Sequence, residues 1–157
     1  MKVYGKNVLN EVLSNPQKIK KLYMTSNMKD ERIMQSIRKN KIQFESVSRE
    51  TMDRMVKGNH QGIMAIVDDF NYADYKSMYN EDLVVVLDHL EDPHNFGAII
   101  RTCEAAGVKS IIIPKDRSVD VNETVMKTST GALEYVNIAR VNNLVKTIND
   151  FKDNKYQ

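Results

Sequence analysis

The chain has a single cysteine, Cys103, and no tryptophan. A lone thiol excludes an internal disulfide, a CxxC redox pair and a cysteine-rich zinc site. That usage fits a reducing compartment, so a cytoplasmic protein is expected. Three prolines and six glycines in 157 residues are too few for a low-complexity tract. Long apolar runs are missing as well. The longest, 83–87 and 111–114, are strand-sized, far short of the roughly 18 residues a membrane span needs. The amino terminus, MKVYGKNVLNEVL, lacks the apolar core of a signal peptide. No GxGxxG follows a strand and there is no GxxxxGK[ST] loop, which disfavours dinucleotide and Walker-type sites. His89 and His94 flank acids but have no third ligand at a defined spacing, so no metal is expected.

What is present is an ordinary globular mixture, 41% hydrophobic and 28% charged, which argues against wholesale disorder. The net charge of +2 conceals an asymmetry. Residues 1–70 carry 13 Lys/Arg against 8 Asp/Glu, an excess of +5; residues 71–157 carry 10 against 13, an excess of −3. Within 18–41 eight basic residues face two acids. A basic first half suits a polyanionic partner. Lys18, Lys20, Lys21, Arg32, Arg38, Lys39 and Lys41 are the candidate contacts. A solvated helix face and strand edge would give the same count.

Hydrophobic spacing predicts helix over 8–13, strand over 20–25, helix over 30–40, strand over 42–47, helix over 48–56 and strand over 63–67. Ser48 caps the third helix and Gly58 closes it. This alternation is that of a small α/β layer domain. Residues 69–81 hold four aromatics without a period and read as a linker, placed at 71–81. The pattern then restarts. The run 82–88 has the continuous apolar character of a strand buried on both faces of a parallel sheet. Helix 98–106 closed by Gly107, strand 110–113, helix 121–128, strand 135–139 and helix 143–153 follow. A second α/β unit over 82–157 is expected.

One stretch carries chemistry. Between the first strand and first helix of that second unit stands Asp92-Pro-His-Asn-Phe-Gly-Ala-Ile-Ile-Arg101. Ligands of open parallel sheets bind beyond the carboxyl ends of strands. Asn95 and Gly97 would lie at the helix entrance, where anions are favoured. Arg101, four residues after Gly97, projects from the same face with a fork suited to phosphate. The plain alternatives are a capping Asn95, a packing Gly97 and a surface Arg101. Asp88, Glu91 and Asp92 could pair for acid/base work or simply be solvated. Cys103 reads as a buried small hydrophobe.

Residues 92–107 resemble the first motif of the SpoU/TrmH family of RNA ribose 2′-O-methyltransferases, in the SPOUT superfamily. Lys127-Thr-Ser-Thr-Gly-Ala-Leu-Glu134 resembles that family's segment entering its third strand. Tyr4-Gly5 with Val8, Glu11 and Leu13, together with His60-Gln61-Gly62-Ile63, resembles the substrate-binding domain of the subgroup that modifies a guanosine of large-subunit ribosomal RNA.

The resemblance implies an RNA-binding domain over 1–70 of the α/β kind found in kink-turn-binding ribosomal proteins. It implies the first part of a SPOUT catalytic domain over 82–157, a homodimeric complete enzyme, and methyl transfer from S-adenosylmethionine to a ribose 2′-hydroxyl of rRNA. Asn95 and Arg101 match the catalytic motif positions. A guanidinium is essentially never deprotonated. Arg101 is therefore expected to act as a cation on phosphate and developing alkoxide, oriented by Asn95. His60 and Gln61 join the RNA contacts, although His60 could equally cap the strand at Ile63. The family's knot-forming segment and main cofactor motifs have no counterpart before residue 157. The chain is thus expected to be a fragment or a shortened relative, inactive by itself and a poor binder of S-adenosylmethionine. The other function class open to it is a non-catalytic RNA-binding module.

Overall fold

A computed structural model describes residues 1–154. The final stretch, where the next strand was expected to begin, lies outside the described residues. The chain forms two compact units, Met1–Asp69 and Phe70 onward.

The first unit runs β1 (Lys2–Tyr4), α1 (Lys6–Val12), a 3-10 turn (Pro16–Lys18), β2 (Ile19–Thr25), α2 (Glu31–Lys39), β3 (Glu45–Val47), α3 (Arg49–Met55) and β4 (Ile63–Val67). Its sheet has the order β1-β4-β2-β3. Only β2 and β3 are parallel, with Tyr23 opposite Glu45; β4 runs antiparallel to both β1 and β2 and pairs Ala65 with Val3 and with Leu22. Strand β1 has too few residues to show a period and was not foreseen. It is held by pairing with β4 and by the terminal ammonium, which donates to the Val67 carbonyl at 2.8 Å. In β4 the run Ile63, Met64, Ala65 is fully buried, so β4 is this unit's doubly covered strand. Met64 packs with Tyr23, Met52 and Val56 under α3. Ile33 and Ile37, one turn apart on α2, are buried as their spacing predicts.

Side-chain caps begin most of the helices. The carboxylate of Asp30 accepts from Ile33 N at 3.1 Å, and Ser48 Oγ accepts from Thr51 N at 3.1 Å. Gly58 does not close α3, which ends in an extended Val56. It is instead where the Tyr4 ring lies: a Cβ there would stand 2.8 Å from the Tyr4 hydroxyl.

In the second unit, β5 (Val84–Val86), α4 (Pro93–Ala105), β6 (Ser110–Pro114), α5 (Glu123–Ser129), a 3-10 turn (Ala132–Glu134), β7 (Asn137–Val141) and α6 (Leu144–Asp153) follow one another. The sheet is parallel throughout, in the order β5-β6-β7. Ile111 and Ile113 pack toward α4 and α5; Ile112 packs on the other face with Phe151 of α6. Gly107, at φ 76, ends α4, and the next amide donates back to the Cys103 carbonyl at 2.8 Å.

Strand β5 is not buried on both faces. Among the described residues it has one strand neighbour, and Val86 and the preceding Leu83 are 38% and 58% exposed. A continuous apolar run reports no face, so the edge position was invisible in it. The segment 71–81, read as a linker, packs into this unit. It forms a 3-10 turn at Tyr75–Met78, buries Met78, and stacks Tyr79 against Phe151 with ring centres 4.9 Å apart. Ala73 N–H donates to the Ile138 carbonyl at 2.8 Å. On α6, Val145 and Ile148 of the expected apolar face are exposed. Among the described residues no helix is long and apolar enough to cross a membrane.

Gly97 is buried in α4 where α5 crosses, and a Cβ there would collide with the Thr128 side chain. Gly97→Ala should therefore cost about 1–3 kcal/mol by forcing the two helices apart. In the first unit, Asp30→Ala should cost roughly 1 kcal/mol through the lost cap. Urea unfolding of each unit's transition reads both, and an unshifted midpoint in either would contradict the packing or the cap.

Candidate functional site

The sheet of the second unit builds a loop edge at the carboxyl ends of its strands. Leu87 N–H donates to the Ile112 carbonyl, and Val119 N–H to the Leu90 carbonyl at 2.7 Å, tying the loop after β5 to the loop after β6. The second loop is fixed from its other side. Tyr72 Oη accepts from Val121 N–H at 2.9 Å, and Arg140 donates to Asp120 at 2.7 Å while lying 4.7 Å over the Tyr72 ring. Burial raises the Tyr72 pKa, and the Asp120 carboxylate holds that of Arg140 up. Helix α4 opens on this edge. Asp92 caps it, accepting from His94 N–H at 2.8 Å. The helix therefore begins earlier than its apolar spacing suggested, and Asn95 sits in the first turn rather than at the cap.

Asn95 and Arg101 are both exposed on α4. Six residues apart, they are separated by about 9 Å along the axis and about 120° around it. Among the described residues no hydrogen bond joins them, so the expected orientation of Arg101 by direct contact with Asn95 is not seen. Gly97 is turned into the α4–α5 contact rather than toward a ligand. Asp88 lies 2.7 Å from His89, both well exposed. Cys103 is buried, which pushes its thiol pKa up and away from nucleophilic use. No group of three or more metal-binding side chains converges among the described residues.

In the first unit Lys18, Lys20, Lys21, Arg32, Arg38, Lys39, Lys41 and Gln61 are exposed. They do not form one site. Lys20 pairs with Asp68 at 3.1 Å, and Arg38 with Glu31 at 2.7 Å. Because α2 links two parallel strands, Arg38, Lys39 and Lys41 lie toward the amino ends of the strands, together with Lys18, Lys20 and Lys21.

His60 is not a surface contact. It is 6% exposed and both ring nitrogens are engaged. Gly62 N–H donates to Nδ1 at 2.9 Å, which places the ring proton on Nε2, 2.7 Å from Asp53 Oδ1. The strand-capping role is the one seen. Gln61, at φ 52, turns its Oε1 to accept from Lys6 N–H at 2.9 Å, capping α1 from outside.

This arrangement walls a polar cleft of about 370 Å³ at the carboxyl ends of β2 and β3. Lys6, Asn27, Lys29, Arg49 and Asn59 line it, and none was picked as an RNA contact from the sequence. The usable signal was topological: residues just after strands β2 and β3 are where an α/β sheet places its ligands.

A profile of the "SpoU rRNA Methylase family" matches residues 82–157, and one for "RNA 2'-O ribose methyltransferase substrate binding" matches residues 2–73. YacO of Bacillus subtilis, named provisionally as a TrmH family tRNA/rRNA methyltransferase, is 38% identical over 161 residues, covering 96% of this chain and 65% of its own. A Staphylococcus haemolyticus protein named in the same way is 35% identical over 164 residues, covering 98% and 66%. The chain thus spans slightly less than two thirds of these relatives.

Among solved structures, the SpoU methyltransferase AviRb from Streptomyces viridochromogenes in complex with AdoMet aligns with a TM-score of 0.75 at 18% identity, over 99% of this chain and 59% of that one. The AdoMet-bound rRNA methyltransferase from Sinorhizobium meliloti gives 0.72 at 23%, over 97% and 57%. At such identities the likeness is one of fold: an α/β chain with a parallel sheet, arranged as in SpoU methyltransferases. With one profile on each unit and relatives of this similarity along nearly all of its length, the chain belongs to the SpoU methyltransferase family.

Proposed function

We propose that the chain is the RNA-holding and hydroxyl-activating part of an RNA ribose 2′-O-methyltransferase, acting on a guanosine of ribosomal RNA with S-adenosylmethionine as methyl donor. The observation that carries the reading is the family motif at 92–101 standing on α4 at the carboxyl edge of a parallel sheet, with Arg101 exposed and lacking a carboxylate partner among the described residues. Arg101 holds the phosphate next to the target ribose and stabilises negative charge growing on its 2′-oxygen. Asn95, one and a half turns earlier, positions the RNA rather than Arg101 itself. The first unit, a small α/β domain of the kink-turn-binding kind, supplies substrate binding.

The groove between β5 and α6 does not fit the cofactor. It has a volume of about 140 Å³ and is lined chiefly by Val84, Val86, Ile112, Leu144, Ile148 and Phe151. A nucleoside-bearing cofactor needs several hundred Å³ and convergent polar groups. A second reading is RNA binding without catalysis, supported by the basic excess of residues 1–70 and the substrate-binding profile on the first unit.

In a chain of the relatives' length, Arg101→Ala and Asn95→Ala should each abolish methyl transfer to RNA while leaving the unfolding transition nearly unmoved. Transfer of labelled methyl groups into rRNA measures this. Full activity in Arg101→Ala would remove the proposed role, and no activity in the parent would favour the binding module.

A further inference from the structure

The cleft of the first unit has a lopsided inventory of hydrogen-bonding groups. The protein itself uses the acceptor ends of its amides. Gln61 Oε1 accepts from Lys6 N–H, and Asn27 Oδ1 accepts from the Thr25 hydroxyl at 2.7 Å. Their NH₂ donors are left over. Lys6 is spent on the Lys29 carbonyl at 2.8 Å. The ammonium of Lys29 and the guanidinium of Arg49 are exposed and have no carboxylate partner among the described residues. What faces the cleft is therefore mostly donors, two of them charged, and the complement of such a surface is a group that only accepts, such as a phosphodiester.

One group breaks the pattern. Asp53 also lines the cleft, and a carboxylate opposes a bare anion. Its Oδ1 is tied to His60, while its second oxygen has no partner among the described residues. That oxygen can only accept, and a sugar hydroxyl is a donor that suits it. A donor-rich wall with one exposed carboxylate complements a phosphate that carries a neighbouring hydroxyl, which is what a ribonucleotide backbone presents and a deoxyribonucleotide backbone does not. The ring that lines the cleft, that of His60, is buried and bonded at both nitrogens, so a stacked base is not the natural occupant.

The walls are also fixed in advance. Gly62 sits at φ 80, and a Cβ there would come within 2.5 Å of Thr25 Oγ1. Gln61 is held left-handed, and His60 is bonded at both nitrogens. A left-handed non-glycine residue in a pinned loop is the kind of strain kept at binding sites.

We infer that this cleft grips one ribose–phosphate step of RNA, with Lys29 and Arg49 on the phosphate and Asp53 accepting from the ribose 2′-hydroxyl. The inference rests on the reading of the first unit as the RNA holder. It moves the grip away from the basic surface of Lys18, Lys20, Lys21, Arg38, Lys39 and Lys41, and it gives the domain a way to tell RNA from DNA.

Fluorescence anisotropy of the 157-residue chain with a labelled RNA stem-loop, and with the DNA stem-loop of the same sequence, tests it. The parent chain should prefer RNA. Lys29→Ala and Arg49→Ala should each weaken RNA binding about tenfold and lower the salt slope by about one. Both residues are exposed, so the fold survives these changes. Asp53→Asn keeps an oxygen for His60 but loses the second acceptor, and should bring RNA affinity down toward that for DNA. Lys39→Ala, outside the cleft, should weaken both nucleic acids equally and less. Cleft variants that bind RNA as the parent does, beside a weakened Lys39→Ala, would overturn the cleft and leave RNA holding to the other surface. A parent chain that binds neither probe would overturn the RNA reading and the cleft together.

Discussion

The imidazole of His60 is buried between a backbone amide and a carboxylate, and much of the first unit is arranged around it. Its Nδ1 takes the Gly62 N–H, which fixes the turn that starts β4. That turn sends Gln61 out at φ 52 to cap α1, and lets the Gly62 carbonyl accept from Thr25 N–H at the end of β2. On the other side Nε2 reaches Asp53 on α3. One ring thus links a strand start, a strand end and two helices beside the polar cleft. A buried polar group with both partners present rigidifies its surroundings; with one partner missing it would carry the full desolvation cost of the other.

The second unit depends on contact rather than on a polar network. Gly97 lets the Thr128 side chain of α5 lie directly against the backbone of α4. That contact sets how α4 leaves the sheet, and hence where Asn95 and Arg101 stand on the loop edge. The edge is braced by Tyr72, Asp120 and Arg140, which hold the loop after β6. Gly97 therefore serves packing, while Asn95 and Arg101 of the same stretch stay exposed.

Much of the architecture could be read from local signals, because those signals act locally. Ser48 caps α3 as its position predicts, Gly107 ends α4 in a left-handed turn, and Ile33 with Ile37 marks the buried face of α2. Features set by distant partners could not. The Lys2–Tyr4 strand exists through pairing with residues some sixty positions away. The exposure of β5 reflects a neighbour on one side alone, and the aromatics at 70–79 pack by ring contact without any period. For the site, residues close in sequence, Asn95 and Arg101, are proposed through the motif they share. The cleft joins Asn27, Lys29 and Asn59 from two loops with Arg49 from the start of α3, and no spacing rule connects them. His60 stood out in the sequence, and only its two partners show that it braces the cleft wall with both ring nitrogens engaged.

The central claim is that these residues serve chemistry at a ribose oxygen of RNA. Its most direct test is to locate the methyl group. A protein of the relatives' full length carrying these 157 residues is incubated with rRNA and isotopically labelled S-adenosylmethionine, and the RNA is digested to nucleosides for mass spectrometry. The account predicts label on the 2′-oxygen of a guanosine, protecting the adjacent phosphodiester from alkali. Label on a base, with the neighbouring bond still alkali-sensitive, would contradict it.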